Sequence, residues 1–133
     1  MTKELDKLLC EKYPEIFRDR QAPMNQTLMC WGFACGDGWF ALIDTLCAEL
    51  MRHSTPNHIP VALQVKEKFG GLRFYVNNAT DVHETLINFA EAMSYRICET
   101  CGATQGAKCR TSGWHRTLCD SCANAEGRDL WGV

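Results

Sequence analysis

The chain has 133 residues, 46% of them hydrophobic and 23% charged, with a formal net charge of −2, which fits a single globular domain. It shows no strong basic stripe of the kind that marks a dedicated nucleic-acid-binding protein, and no apolar run approaches the ~20 residues of a membrane span. The charged start, MTKELDKLLCEKY, is not a secretory signal, and the cysteine count, nine, is odd, so we expect a cytoplasmic protein with reduced thiols.

The first part of the chain predicts two helices separated by an irregular segment. Thr2 is a suitable N-cap for the first helix, which leucines continue at helical spacing as far as Pro14. Residues 15–28 are expected to form short turns. After a glycine-rich break at residues 36–38, apolar positions recur every three to four residues, which predicts a helix over residues 38–53.

The stretch VALQVKEKFGGLRFYV predicts an antiparallel β-hairpin, because apolar and polar residues alternate on both sides of Gly70 and Gly71. A glycine pair supplies the positive φ angles of a tight turn. Lys66, Lys68 and Arg73 then share the wetter face. They either meet phosphate or an acidic partner, or form only a solvated strand surface.

A third helix is predicted to lead directly into the cysteine-rich segment. Asp81 and Glu84 have the spacing of a capping box at its start. The apolar residues that follow at helical spacing are Val82, Leu86, Phe89, Ala90, Met93 and Ile97.

Four cysteines have the spacing of a structural zinc site. They form two C-x2-C pairs separated by 17 residues, namely Cys98, Cys101, Cys119 and Cys122. Two residues between thiolates allow both sulfurs to face one tetrahedral ion at roughly 2.3 Å, and four thiolates leave no position for water. The sequence therefore predicts one structural Zn²⁺. The alternatives are a reduced metal-free cluster, a redox C-x-x-C pair, and Cys109 in place of one ligand.

The surroundings of these cysteines indicate the type of finger. Gly102 after the first pair is typical of a zinc knuckle, and the chain between the pairs can turn at Ser112 and Gly113. The second pair begins a segment of good helix formers that can start at Asp120. The order of knuckle, hairpin and helix resembles a treble-clef zinc finger. A rubredoxin-like iron site and a zinc ribbon, each expected to have two knuckles, fit less well.

These elements together predict an α+β fold. Residues 1–97 are expected to form a body of helices and one antiparallel hairpin. Residues 98–133 are expected to form a treble-clef-like four-cysteine zinc finger docked on that body, because no flexible linker separates the two. Leu130 and Trp131 are expected to dock onto the core.

Other candidate sites are weaker. Cys30 and Cys35 lack the second half of a metal site, which favours buried free thiols. Asp37, between two glycines, is either a general base or magnesium ligand, or a capping residue that accepts backbone N–H groups. Motifs for nucleotide binding, serine hydrolysis and zinc proteolysis are missing. An HNH nuclease needs clustered histidines, whereas the finger contains only His115. We therefore predict no catalytic residues and no enzyme.

Three stretches, CWGFACGDGWFALIDTLC, VKEKFGGLRFYV and CETCG…GWHRTLCDSCA, resemble in this order a group of small uncharacterised proteins of phages, prophages and bacteria. The resemblance covers roughly residues 28–125 and implies an origin rather than an activity. Small phage-type proteins often bind a host protein, including components of defence systems.

We therefore predict a non-enzymatic zinc protein that binds a protein partner, such as a host or defence factor. The candidate contacts are the aromatic and basic side chains of the two hairpins: Arg73, Tyr75, Trp114, His115 and Arg116. Nucleic-acid binding by the weakly basic finger is the alternative, and an enzyme centred on Asp37 is the third possibility.

Overall fold

The computed structural model describes residues 1–127, so the expected docking of Leu130 and Trp131 lies outside the described part. Within residues 1–127 the chain is α+β, as predicted. Its elements follow in the order α1 (Lys3–Lys12), β1 (Phe33–Ala34), α2 (Phe40–Arg52), β2 (Val61–Lys68), β3 (Gly71–Asn77), α3 (Asp81–Ser94), β4 (Lys108–Arg110), β5 (Arg116–Leu118) and α4 (Asp120–Ala125). Every helix in this part is too short or too polar to cross a lipid bilayer.

The first two helices begin close to the predicted positions. The Thr2 hydroxyl caps α1 by accepting a hydrogen bond from the Leu5 N–H, and residues 15–28 form turns. Helix α2 begins at Phe40 rather than residue 38, because Asp37–Trp39 forms a 3-10 turn in front of it.

The hairpin β2–β3 forms as predicted, but its turn lies one residue earlier. Phe69 and Gly70 are the two residues with positive φ, at 54° and 85°, which is uncommon for a bulky side chain. The Glu67 carboxylate secures the turn by accepting the Gly70 N–H at 2.8 Å. Gly71 is the first residue of β3, and a Cβ there would lie 2.2 Å from the Tyr95 hydroxyl oxygen. Gly71 therefore leaves room for the Tyr95 side chain and is not one of the positive-φ residues of the turn.

A third strand and a bulge were not predicted. Strand β1 pairs in parallel with β2, which gives the sheet order β1-β2-β3. The β2–β3 register shifts between Ala62 and Gln64, so Ala62 is fully buried while Leu63 is only partly buried. The Leu63 carbonyl accepts hydrogen bonds from the Leu28 N–H at 2.9 Å and the Thr27 hydroxyl at 3.0 Å. The bulge thus ties the irregular segment to the sheet.

The core of the body lies between the sheet and helices α1, α2 and α3. Helices α2 and α3 pack against each other, and α3 also packs on β3. The large, fully buried side chains of this core include Leu9, Ile16, Met29, Trp39, Ile43, Leu50, Val65 and Leu72.

Helix α3 begins with a capping box one residue before the predicted one. The Thr80 hydroxyl accepts the His83 N–H, and the His83 ring accepts the Thr80 N–H in return. Asp81 and Glu84 instead place two carboxylates in the first turn. There they stabilise the helix by interacting with the positive end of its dipole.

The apolar spacing of α3 does not coincide with its buried face at every position. Val82 and Phe89 are 49% and 66% exposed, whereas His83 and Ser94 are fully buried. These two polar side chains are tolerated inside because they are hydrogen-bonded. The Ser94 hydroxyl accepts the Leu72 N–H at 2.9 Å, which covers the edge of β3.

The C-terminal segment follows the predicted order of knuckle, hairpin and helix. Strands β4 and β5 are antiparallel, and Gly113 in the loop between them has a φ of 76°. Helix α4 ends at Ala125, and Gly127 beyond it has a φ of 71° and donates its N–H to the Asn124 carbonyl. The small apolar cluster of this segment contains Cys98, Leu118, Cys119 and Ala123. The division into domains 1–97 and 98–133 stays a prediction.

Candidate metal centre and adjoining cleft

The structure brings the four predicted cysteines together. The sulfurs of Cys98, Cys101, Cys119 and Cys122 all lie within 4.8 Å of one another, and those of Cys101 and Cys119 are 3.7 Å apart. A tetrahedral ion with bonds of about 2.3 Å requires sulfurs about 3.8 Å apart. This group is therefore able to hold one metal ion.

Two different backbone arrangements supply the ligands. The first pair lies in a tight knuckle, in which the Gly102 N–H bonds to the Cys98 carbonyl at 2.9 Å and the Cys98 N–H bonds to the Ala103 carbonyl at 2.8 Å. In the second pair, Cys119 is the N-cap of α4 and Cys122 lies in its first turn. The ligands therefore come from a loop and a helix start, as a treble-clef finger requires.

The thiols of this group do not ionise equally. Burial opposes ionisation of Cys98, but the backbone N–H groups of Cys101, Cys119 and Thr100 outweigh it and lower its pKa to about 7. Burial and the neighbouring sulfurs raise the pKa of Cys122. Four adjacent thiolates repel one another, and a bound cation removes that penalty because it deprotonates its thiol ligands.

The remaining candidate cysteines lie outside this group. The Cys109 sulfur is 3.7 Å from the Phe69 carbonyl oxygen, so its contacts are with the body hairpin. Cys30 and Cys35 join no group of potential ligands in residues 1–127. Burial raises the pKa of Cys35 to about 12, which fits a structural thiol.

Arg110 holds the finger together from inside. Its side chain is 1% exposed and lies 2.6 Å from the Asp120 carboxylate. Its Nε donates to the Leu118 carbonyl at 3.1 Å. The guanidinium lowers the pKa of Asp120. Strand β5 and the start of α4 are thereby fixed to β4.

Glu99, between the knuckle cysteines, was missed by the sequence reasoning. Its buried carboxylate accepts the Gly36 N–H at 2.8 Å and the Arg116 Nε–H at 3.2 Å. Burial raises its pKa, and these two donors act in the opposite direction. The only sequence signal was a charged residue inside an otherwise compact knuckle.

Residues 36–39 pack backbone against backbone on the knuckle, a contact that we call the knuckle seam. The Gly38 N–H bonds to the Glu99 carbonyl at 2.8 Å. A Cβ on Gly38 would lie 2.1 Å from the Cys98 carbonyl oxygen. The buried Trp39 indole donates to the Ile97 carbonyl at 2.8 Å. The distinctive G-D-G-W sequence is therefore explained by a contact that fixes the cysteine-bearing knuckle to the body.

Asp37, the candidate catalytic residue, caps a helix other than its own. Its carboxylate accepts the Thr2 N–H at the start of α1, at 2.8 Å. Among the described residues, the shallow depression around it is lined by Met1, Thr2, Gly36 and Thr100 and contains no second carboxylate or histidine. Asp37 therefore accepts a backbone N–H, as the capping interpretation expects, but from the start of α1 and not from the turn that it begins.

The turn of the body hairpin packs on the finger hairpin, a contact that we call the hairpin seam. The Thr117 hydroxyl donates to the Gly70 carbonyl at 2.6 Å. A Cβ on Gly70 would lie 2.6 Å from the Cys109 sulfur. The rings of Phe69 and His115 meet edge to face with centroids 5.9 Å apart. The two hairpins therefore form one continuous surface.

A cleft of about 400 Å³ opens at this seam. Its two largest side chains, Phe69 and Trp114, are 63% and 76% exposed. The Lys68 ammonium lies 5.8 Å from the centre of the Phe69 ring. The cleft is lined by Lys66, Glu67, Lys68, Phe69, Gly113, Trp114 and His115.

Two of the five predicted partner-binding residues, Trp114 and His115, line this cleft. Tyr75 is exposed on β3 but is not among the lining residues. Phe69 was missed, and a bulky aromatic residue beside a glycine pair was the available signal.

The other two predicted contacts, Arg73 and Arg116, are bound by carboxylates. Arg73 lies 3.5 Å from Glu91 on α3. Arg116 joins Glu99 of the knuckle to Glu126 after α4, at 3.2 and 3.4 Å. Both arginines therefore stabilise the fold, whatever else they contact.

No protein-family model, curated protein or solved structure matches the chain. The resemblance indicated by the sequence motifs stays a prediction.

Proposed function

We propose that this chain is a zinc-stabilised, non-enzymatic protein that holds a protein partner in the cleft between its two hairpins. The observation that carries the proposal is the exposure of Trp114 and Phe69, 76% and 63%, in one cleft of about 400 Å³. Large aromatic side chains are enriched at the energetic centres of protein interfaces. Two of them side by side in a concave surface provide an anchor for a partner side chain.

The four-thiolate ligand set supports zinc as the metal. Four thiolates in tetrahedral spacing suit zinc, and iron in a rubredoxin-like site is less favoured because only one ligand pair lies in a knuckle. With four protein ligands the zinc shell is closed, so the ion supplies structure rather than chemistry. This assignment, together with the capping role of Asp37, supports a function without catalysis.

The local strain at Phe69 supports a functional role for the cleft. A bulky residue with a φ of 54° costs about 1–3 kcal/mol, and such residues cluster at binding sites. The strain is held by the Glu67–Gly70 and Thr117–Gly70 hydrogen bonds. These contacts hold the backbone of the turn, while the Phe69 ring stays exposed.

The resemblance to phage and bacterial proteins supports a partner of bacterial origin, and we include a host or defence factor in the proposal. A cytoplasmic location belongs to it as well, because zinc thiolates need reduced cysteines.

The proposal is tested by affinity capture from a bacterial lysate with the zinc-loaded full chain, followed by binding measurements with the purified captured protein. Trp114→Ala removes the anchor. Trp31→Ala is the matched control, because Trp31 is 69% exposed and lies outside the cleft. We expect binding by the wild type and by Trp31→Ala, and a loss of at least tenfold in affinity with Trp114→Ala. Equal binding by the wild type and Trp114→Ala would refute the proposal. Zinc content and circular dichroism verify that both variants are folded.

A further inference from the structure

We infer that the partner presents an acidic extended segment to this cleft, with carboxylates at alternate positions followed by an apolar side chain. The inference rests on the proposed function and adds the chemistry of the partner. It is carried by the distribution of paired and unpaired charges around the cleft, and by the spacing of two lysines along β2.

The arginines near the cleft are already neutralised, whereas the lysines are not. Arg73, Arg110 and Arg116 each form an ion pair with a carboxylate. Among residues 1–127, Lys66 and Lys68 have no carboxylate within 4.0 Å. The positive charge that the cleft offers to a ligand is therefore that of two ammonium groups.

The one carboxylate lining the described part of the cleft does not cancel this charge fully. Glu67 is occupied by the turn, because it accepts the Gly70 N–H at 2.8 Å. A ligand carboxylate meets two lysines and one such glutamate, which leaves a net attraction.

The spacing of the lysines matches an extended chain. Lys66 and Lys68 are two residues apart on β2, so they share one face and lie about 6.6 Å apart along the strand. Alternate residues of an extended peptide have the same spacing. Phe69 follows Lys68 in the turn, and Trp114 lines the same cleft. A ligand with two acidic residues at positions i and i+2, followed by an apolar residue, fits this arrangement.

A protein segment fits these charges better than a nucleic acid does. Two unpaired lysines neutralise few phosphates, and binding to a polyanion depends on the number of phosphates neutralised. The chain as a whole is negative, at −2. Two aromatic rings could still stack on bases, so a nucleic acid is included as a contrary outcome of the test.

The test selects a library of random twelve-residue peptides against the zinc-loaded full chain. We expect the wild type to enrich acidic residues at alternate positions followed by an aromatic or aliphatic residue. The double variant Lys66→Gln/Lys68→Gln should lose the acidic preference and keep the apolar one. The double variant Lys3→Gln/Lys7→Gln, with the same change of charge on α1, should select as the wild type does.

Individual affinities then test the mechanism. A selected acidic peptide should bind Lys66→Gln/Lys68→Gln roughly tenfold more weakly at low salt, and this difference should shrink in 0.5 M NaCl. Enrichment without acidic residues, no enrichment, or an acidic preference that survives Lys66→Gln/Lys68→Gln would overturn the inference. Tighter binding of a twelve-nucleotide oligo-dT than of any selected peptide would also overturn it, in favour of a nucleic acid.

The two proposals fail in different ways. If the captured protein depends on Trp114 but binds through a neutral segment, the acidic-segment inference is wrong and the proposed function stands. If Trp114→Ala binds the captured protein as tightly as the wild type does, the proposed function itself is wrong.

Discussion

Replacing Gly38 with alanine should weaken zinc binding, although residue 38 lies far from the cysteines in sequence. Gly38 does not adopt a left-handed conformation, so the obstacle to alanine is steric. Its Cβ would lie 2.1 Å from the Cys98 carbonyl oxygen and 2.6 Å from both the Glu99 oxygen and the Gly102 nitrogen. All three are backbone atoms of the knuckle, which no change of rotamer can move away.

The size of the effect follows from these distances. Ordinary contact begins at 3.4 Å, so the knuckle must retreat by about 1.3 Å from the 2.1 Å position. That shift breaks the 2.8 Å hydrogen bond from the Gly38 N–H to the Glu99 carbonyl. An unsatisfied buried group costs about 1–3 kcal/mol, and overpacking costs about 1–3 kcal/mol more. We therefore expect Gly38→Ala to lower the free energy of unfolding by about 2–6 kcal/mol.

The knuckle that Gly38 contacts also carries Cys98 and Cys101, so part of this energy is expected to be lost from zinc binding. A loss of about 2 kcal/mol from zinc binding lowers zinc affinity about 30-fold. The assays are urea unfolding and competition with a chromophoric zinc chelator. Gly113→Ala is the control, because a Cβ there meets nothing within 4 Å while its φ is 76°. It should cost about 1–2 kcal/mol and leave zinc affinity unchanged. Wild-type stability and zinc affinity in Gly38→Ala would refute the knuckle seam.

Further predictions concern the thiols and the interior of the finger. Zinc affinity should fall as pH decreases from 8 to 6, because the ligand thiols must lose their protons and the pKa of Cys122 is raised; a pH-independent affinity would contradict this. Arg110→Met should lower the free energy of unfolding of the zinc-loaded protein by about 1–3 kcal/mol, since it leaves the Leu118 carbonyl without its partner; an unchanged urea midpoint would show that this contact is dispensable. Cys10 and Cys35, with pKa values raised by burial to about 11 and 12, should resist iodoacetamide at pH 8 in the native protein, because the thiolate is the reactive form. Rapid labelling of either, detected by mass spectrometry, would indicate that its site opens.

The finger was predictable from the sequence because its constraint is local and chemical. Two C-x2-C pairs specify which side chains must converge, and Gly102 marks the knuckle. The structure places all four sulfurs within 4.8 Å of one another. Thr2 at the start of α1 was likewise visible, because a cap involves only neighbouring residues.

The errors arose where tertiary contacts override local preference. Phe89 followed the apolar spacing but is exposed, while His83 and Ser94 are buried because hydrogen bonds satisfy them. The turn includes Phe69 and not Gly71, which begins β3 and lies against the Tyr95 ring.

The two seams could not be derived from the sequence, because the partner of each glycine is distant along the chain. Gly38 meets the Cys98 carbonyl, and Gly70 meets the Cys109 sulfur. Gly38 and Gly70 look like turn residues in the sequence, but in the structure they allow the body to lie in close contact with the finger. The knuckle seam and the hairpin seam explain why the stretch at residues 36–39 and the hairpin turn at residues 69–70 accompany the four cysteines.

We propose that one zinc ion, bound by four thiolates, fixes the finger and thereby the cleft. Native mass spectrometry of the purified chain, combined with X-ray absorption at the zinc edge, tests this proposal. We expect one zinc per chain with four sulfur ligands at about 2.3 Å, and a loss of stoichiometric zinc when Cys101 and Cys119 are both replaced by serine. A chain without stoichiometric zinc, or a zinc ion with nitrogen or oxygen ligands in place of these sulfurs, would contradict the account.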